Sequence, residues 1–260
     1  MLEDDFTYVL RKALLGHSLS PADAALRAGL SFEEVDDFLS GSFSVETALA
    51  LAAMLGLNAE AYSQHDLYQP RPMVAPGIER LDLPFGPERV NAWLASYGDD
   101  VILFDAGYEE SDLMVAVETR CGRLPDRVFL THAHRDHIGG LDHLVRSGVP
   151  VHGAGIPGSI SMNPGESICC GSLRIHACDL SGHAVPGLGF HIAGLSLPVL
   201  VTGDALFAGS MGGCNTPQRY RQALECLHHV LDGLPAATVL LPGHGPATTL
   251  GEERVSNPFL

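Results

Sequence analysis

Within the six residues His132-Ala133-His134-Arg135-Asp136-His137, four side chains are of the kinds that bind metal cations. Imidazole and carboxylate together suit zinc, iron or manganese. His132 and His134 are two apart, so on an extended segment both point to one side. A turn after them would bring Asp136 and His137 to the same space, and Gly139-Gly140 would ease entry into a helix. Arg135 cannot be a ligand, because its guanidinium stays protonated. It is a candidate for drawing an anionic substrate to the pocket mouth, with pairing to surface carboxylates as the alternative. Four neighbouring ligands do not by themselves build a good two-metal site. Three further candidates stand on glycine-bounded turns after apolar runs: His183 in Ser-Gly-His-Ala-Val-Pro-Gly, Asp204 in Val-Thr-Gly-Asp-Ala-Leu-Phe and His244 in Leu-Leu-Pro-Gly-His-Gly-Pro.

The elements that must carry these residues can be read around them. Arg127-Val128-Phe129-Leu130 has the apolar run of a buried strand, which puts the cluster at a strand's C-terminal end, where α/β sites usually lie. Strands are expected over 90–97, 101–105, 127–131, 149–152, 173–178, 189–192, 199–202 and 238–241, and helices near 110–121, 140–147 and 217–232. Strands with helices between them make a layered α/β architecture.

Residues 1–66 differ. Apolar residues recur there at helical spacing, without strand-like alternation. Ser20-Pro21-Ala22-Asp23 reads as a helix start, Ser31-Phe32-Glu33-Glu34 as a capping box, and Ser44-Val45-Glu46-Thr47 as a third start. The expectation is about four short helices. The order helix, Ala24-Ala25…Gly29-Leu30-Ser31, helix resembles the helix-turn-helix of phage-repressor-like regulators. The helix after the turn would read DNA, yet it carries Glu33, Glu34, Asp36 and Asp37. Residues 1–66 hold three bases against eleven acids, a net of −8. Such a helix opposes phosphate contacts, so the segment is expected to be a packing or dimerisation module rather than a nucleic-acid reader. Residues 67–77, with three prolines and a glycine, read as a linker, and residues 78–260 as the layered α/β domain that carries the cluster.

Composition narrows the partners. The chain has 31 acids and 15 bases, a formal net charge of −16. That surface repels nucleic-acid phosphates and anionic membranes. Lys12 is the only lysine. The acidic start Met1-Leu2-Glu3-Asp4-Asp5 lacks a secretory signal's basic and apolar stretches, and no apolar run reaches the length of a membrane span. A cytoplasmic protein is expected, its six cysteines (Cys121, Cys169, Cys170, Cys178, Cys214, Cys226) being free thiols.

The motifs in series, His-x-His-x-Asp-His with Gly-Gly, then Gly-His, Thr-Gly-Asp and Pro-Gly-His-Gly, resemble the metallo-β-lactamase-fold hydrolases, in that family's order. The stretch from Ile78-Glu79-Arg80-Leu81 through Ile102-Leu103-Phe104-Asp105-Ala106-Gly107 looks like the family's first strands. The resemblance covers roughly 74–260 and implies a four-layer αββα sandwich behind the small all-α segment. It further implies that His132, His134 and His183 hold one divalent ion and Asp136, His137 and His244 a second, zinc foremost, with iron or manganese as alternatives. Asp204 would bridge them, with Asp136 also orienting a bridging hydroxide as catalytic residue. Two cations roughly 3.5–4 Å apart repel, and bridging anions reduce that cost. Asp105 would orient a ligand histidine from behind, with a turn cap as the alternative.

Which reaction follows is narrowed by three details. Asp204 stands where antibiotic-hydrolysing members typically have cysteine. The tail Gly251-Glu252-Glu253-Arg254…Asn257-Pro258-Phe259 and the turn Thr202-Gly203-Asp204-Ala205-Leu206-Phe207 both look like the short glyoxalase II-like hydrolases. That resemblance implies a binuclear thioester hydrolase. The group usually continues with Gly-Arg after this turn; here the residues are Gly212-Gly213-Cys214-Asn215. Glutathione's carboxylates would therefore need Arg135, Arg219, Arg221 or Arg254, of which Arg135 and Arg254 are the named substrate-binding candidates. Persulfide dioxygenases share the fold and would use a single iron at His132, His183 and Asp204. Hydrolysis of a lactone or phosphodiester, and a ligand-sensing metal domain behind a DNA-binding segment, are the remaining alternatives. Self-association would run through the helical segment.

Overall fold

The structure is a computed structural model that describes every residue except Met1, Pro72 and Val74. Two residues of the expected linker, Pro72 and Val74, thus lie outside the described residues. The chain opens with helices α1 (Phe6–His17), α2 (Pro21–Ala28), α3 (Phe32–Leu39), α4 (Val45–Leu55) and α5 (Ala59–Ser63). Their starts follow from capping. Ser20 and Ser31 each accept from the backbone three residues on, while Asp23 and Glu34 reach back. Each such cap stabilises by about 1 kcal/mol. Gly29 and Gly56 close α2 and α4 in the left-handed region. The fifth helix goes beyond the expected four: it has five residues, too few for apolar periodicity to show, and is started by Asn58.

Two six-stranded sheets follow. The first takes β1 (Ile78–Phe85), β2 (Glu88–Tyr97), β3 (Asp100–Phe104), β4 (Arg127–Phe129), β5 (Val151–Gly153) and β6 (Ile160–Ser161) in that order. The second takes β7 (Ser167–Cys170), β8 (Leu173–Asp179), β9 (Leu188–Ala193), β10 (Val199–Gly203), β11 (Val239–Pro242) and β12 (Thr248–Thr249), side by side in sequence order. Alternation along each strand sorts side chains into layers. Trp93, Ile102, Phe104 and Phe129 point from the first sheet into the core it shares with Phe190, Val199, Val201, Val239 and Leu241 of the second. Their neighbours Leu94, Leu103 and Val128 point outward, onto Leu113 and Val117 of helix α6 (Glu110–Cys121) and Leu144 of helix α8 (Leu141–Arg146). On the far side, Leu200 and Leu240 point outward onto Leu227 and Leu231 of helix α9 (Pro217–Asp232). The order helix, sheet, sheet, helix makes the chain a four-layer αββα sandwich. Strands buried on both faces explain the unbroken apolar runs of the sequence.

The N-terminal helices thicken this last layer. Val9, Leu10, Leu51 and Tyr62 belong to the same cluster as Leu200, Leu206, Leu227, Leu240 and Phe259. Burying one such side chain contributes roughly 1.5–3 kcal/mol, so the helices are fastened to the second sheet by many side chains at once. No helix among the described residues is long and apolar enough to cross a membrane.

Strand direction places the site. β3 and β4 run parallel, and so do β10 and β11. Parallel neighbours end on the same side, so the turns after β3 and β4 lie together, as do those after β10 and β11. The two sheets bring both pairs of turns to one edge of the sandwich.

Candidate metal centre

Every candidate ligand stands on one of those turns or on a loop beside them. His132 and His134 follow β4; Asp136 and His137 lie on the single turn α7 (Arg135–Ile138); His183 lies between β8 and β9; Asp204 follows β10; His244 follows β11. The structure brings them into two groups. His132, His134, His183 and Asp204 make one, and Asp136, His137, His244 and Asp204 the other, with ligand atoms in each group within 4.8 Å of one another. In the first, Nδ1 of His134 is 3.1 Å from Nε2 of His132 and 3.0 Å from Nε2 of His183. Oδ2 of Asp204 is 3.8 and 3.6 Å from Nε2 of His132 and His183. In the second, Nε2 of His244 is 3.2 Å from Oδ2 of Asp136 and 3.6 Å from Oδ2 of Asp204. Oδ1 of Asp204 is 3.3 Å from Nε2 of His137.

Four of the five rings are held from behind. His183 Nδ1 donates to the Gly213 carbonyl at 2.7 Å, and His244 Nδ1 to the Arg89 carbonyl at 2.7 Å. His137 Nδ1 donates to Oδ2 of Asp105 at 2.8 Å. Asp105 also accepts from the backbone N–H and the hydroxyl of Thr131. Since that hydroxyl donates to Asp105, its oxygen accepts from Nδ1 of His132, 2.9 Å away. Each of these four rings therefore turns the lone pair of Nε2 into the site, as a metal ligand must. Asp105 itself sits at φ +60°, an uncommon conformation for a non-glycine residue that aspartate tolerates better than most.

Two observations test whether a cation fits. His137 Nε2 and Asp204 Oδ1 are fully buried with no hydrogen-bond partner, a costly state that metal coordination would relieve. Gly243 leaves the room: a Cβ there would lie 2.1 Å from Oδ1 of Asp204 and 2.6 Å from Cε1 of His137. The donor set of histidines and carboxylates completes the fit.

The electrostatics agree. Burial, helped by the neighbouring His137, pushes His132 well below the ordinary histidine range, leaving a neutral ring. Burial opposes the charge of Asp204, yet His137, His132 and His244 hold its carboxyl well below the usual range. Burial also opposes the charge of His244, but the bond to Asp136 and the field of Asp204 outweigh it and push the ring up to about 9. In the metal-free chain, protons thus stand where a cation would.

Beside the first group lies a cavity of about 430 Å³, lined by His134, His183, Pro186, Asn215, Thr216 and Arg219 among others. Arg135 is elsewhere. Its side chain is 71% exposed, 3.6 Å from Oε1 of Glu109, with its guanidinium 4.5 Å above the Tyr108 ring. Arg254 is also elsewhere, donating to the carbonyl of Leu231 near the far end of α9. Leu231 is twelve residues beyond Arg219, about 18 Å along the helix. Of the four arginines named from the sequence, Arg219 is the one that lines this cavity. Asn91 and Trp93 are two residues that sequence reasoning missed. From β2 they donate to the carbonyl of Pro242, fixing the turn that carries His244. The signal for Asn91 is a polar residue inside the apolar run Val90–Leu94.

Comparison with known proteins agrees with this geometry. Residues 85–174 match the family model of the metallo-beta-lactamase superfamily. The solved structure of TTHA1623 in a di-iron-bound form superposes with a TM-score of 0.56 at 29% identity, over 69% of this chain and 99% of that one. The chain has the metallo-β-lactamase fold. The probable metallo-hydrolase YqgX of Bacillus subtilis (strain 168) is 28% identical over 204 residues, 68% of this chain and 95% of that protein. The hydroxyacylglutathione hydrolase of Hamiltonella defensa is 30% identical over 159 residues, 58% of this chain and 60% of that protein. The N-terminal helices, Phe6 to Ser63, precede the matched stretch.

Proposed function

We propose that the chain is a metal-dependent hydrolase that cleaves thioesters, with two divalent ions held by His132, His134 and His183 and by Asp136, His137 and His244. The observation that carries this reading is Asp204, whose carboxylate belongs to both groups and reaches His137 through one oxygen and His132, His183 and His244 through the other. Divalent ions bound there supply an acidified water as nucleophile and polarise the substrate carbonyl.

The chain's own residues do the rest. In the metal-free chain burial works against the charge of Asp136, but its bond to His244 keeps the carboxyl below the usual range; a carboxylate that holds a divalent ion is ionised as well, so at neutral pH Asp136 can accept a proton. Asp136 orients the attacking water and takes its proton as the carbonyl carbon is attacked. The C–S bond then breaks with its electron pair going to sulfur. The choice of thioester follows from the leaving group. Among the described residues lining the cavity, His134 and His183 would be ligands and Arg219 is a permanent cation, so the one proton at hand for a leaving group is the one Asp136 takes from the water. A thiol with a pKa of about 8.5 leaves as thiolate without that help. Arg219, in a chain of net charge −16, offers the carboxylate of an anionic thioester its partner. The name of the Hamiltonella defensa relative supports the same substrate class.

A second reading, persulfide oxidation at a single iron, is favoured by one observation: His132, His183 and Asp204 form a two-histidine, one-carboxylate set. One experiment separates the two. Protein purified without added metal is analysed for bound ions and assayed on S-lactoylglutathione and on glutathione persulfide. Two ions per chain with thioester hydrolysis support the first reading; one iron with oxygen uptake replaces it.

We also read the helical segment as no nucleic-acid binder, since Glu33, Glu34, Asp36 and Asp37 on α3 are all exposed. The six free thiols suit a reducing compartment, so we place the chain in the cytoplasm.

A further inference from the structure

Lys12, the one lysine of the sequence, is where the helices meet the metal centre. It stands on α1 with its side chain 14% exposed. Its ammonium pairs with the carboxylate of Asp4, donates to the carbonyl of Met211 at 2.7 Å, and lies 5.3 Å from the centroid of the Phe207 ring. Both ends of this bridge lead to metal ligands. Met211 begins the strip Met211-Gly212-Gly213, which is pressed flat against the first group. A Cβ on Gly212 would lie 1.9 Å from the Asp204 carbonyl oxygen and 2.9 Å from the His183 ring. The next carbonyl, of Gly213, is the one that orients His183. On the other side, Asp4 fixes the segment ahead of α1. That segment puts Oε1 of Glu3 at 3.9 Å from Nδ1 of His244. Phe207, beneath the ammonium, meets the His244 ring edge-on at 6.0 Å.

Stability alone does not call for a lysine here. A buried ion pair is a weak stabiliser, and an apolar pair of similar volume is often as good. An ammonium, however, carries three donors that can tie two acceptors together, and the acceptors lie on the segment whose Gly213 carbonyl orients His183 and on the one that brings Glu3 beside His244. We propose that Lys12 is a positioning residue for the metal centre. By tying Met211 to Asp4 it sets the carbonyl that orients His183 in one group and the segment behind His244 in the other. The helical segment is then a brace for the site. This deepens the hydrolase reading and rests on it for the metal measurements.

The test uses the full chain. The double variant Lys12→Met/Asp4→Asn removes both charges and so leaves no buried carboxylate unpaired. Two quantities are read: Zn²⁺ affinity by chelator competition, and the NMR signal of the His183 Nδ1–H in the metal-free protein. The expected result is a folded protein whose Zn²⁺ affinity falls roughly 10- to 100-fold, as for other residues that act behind metal ligands. Its ring N–H exchanges faster with water. Wild-type affinity together with an unchanged ring signal would overturn the proposal. Should the double variant not fold, Lys12→Arg, which keeps the pair with Asp4 and displaces the donor from Met211, is read for the same two outcomes. A wild-type chain that takes up no divalent ion removes the hydrolase reading instead, and the ring signal then still decides the role of Lys12.

Discussion

Oδ2 of Asp105 lies 2.8 Å from Nδ1 of His137, and the same carboxylate holds the Thr131 hydroxyl that receives Nδ1 of His132. One buried carboxylate therefore orients a ligand in each of the two groups.

Asp105→Asn isolates that role. Asparagine keeps the shape and tolerates the positive φ, but it no longer offers two anionic oxygens. Affinity for divalent ions should fall roughly 10- to 100-fold in both groups, with turnover falling alongside. Chelator competition on the purified variant checks this; an affinity equal to wild type would mean that Asp105 only caps its turn.

The pH dependence follows from His244, whose pKa in the metal-free chain is pushed up to about 9. A histidine raised on folding contributes stability that is complete below its unfolded value of about 6.5 and is lost as pH rises through the folded value. The metal-free protein should therefore lose melting temperature between about pH 6.5 and 9. Divalent ions must displace that proton, so their affinity should rise over the same window. Titration calorimetry near pH 7.5 in two buffers of different ionisation enthalpy measures the proton release. No release at all would contradict the arrangement.

Arg219 and Arg135 should part company kinetically. Arg219 lines the cavity beside His134 and His183, whereas Arg135 is taken up by Tyr108 and Glu109 on the surface. A charge-assisted bond contributes about 1.5–3 kcal/mol, so Arg219→Ala should raise KM for a carboxylate-bearing thioester by about tenfold or more, with kcat little changed. Arg135→Ala should leave KM where it is. Steady-state kinetics on both variants decides between them, and the reverse pattern would move the substrate to the other side of the site.

Much of this centre is legible in the order of the amino acids. The spacing of His132, His134, Asp136 and His137, and the glycine-bounded turns of His183, Asp204 and His244, mark the ligand candidates because chemistry and turn geometry are both local. The capping boxes at Ser20 and Ser31 fix helix starts for the same reason. What stays hidden depends on distant pairing. Nothing near Arg254 in sequence shows that its guanidinium is spent on Leu231, and nothing near Asn91 shows that it holds the turn of His244. The short strands β6 and β12, two residues each, are made by their neighbours rather than by their own pattern.

The contact between Lys12 and Met211 spans 199 residues, and the backbone N–H of Asn58 donates to the carbonyl of Pro258. A ribosome adds about 5–20 residues per second, so the first helices emerge on the order of ten seconds or more before the residues that cover them. During that interval Val9, Leu51 and Tyr62 have no second sheet or α9 to lie against. Closure of the N-terminal helices onto the second sheet therefore has to wait for the last part of the chain to be made.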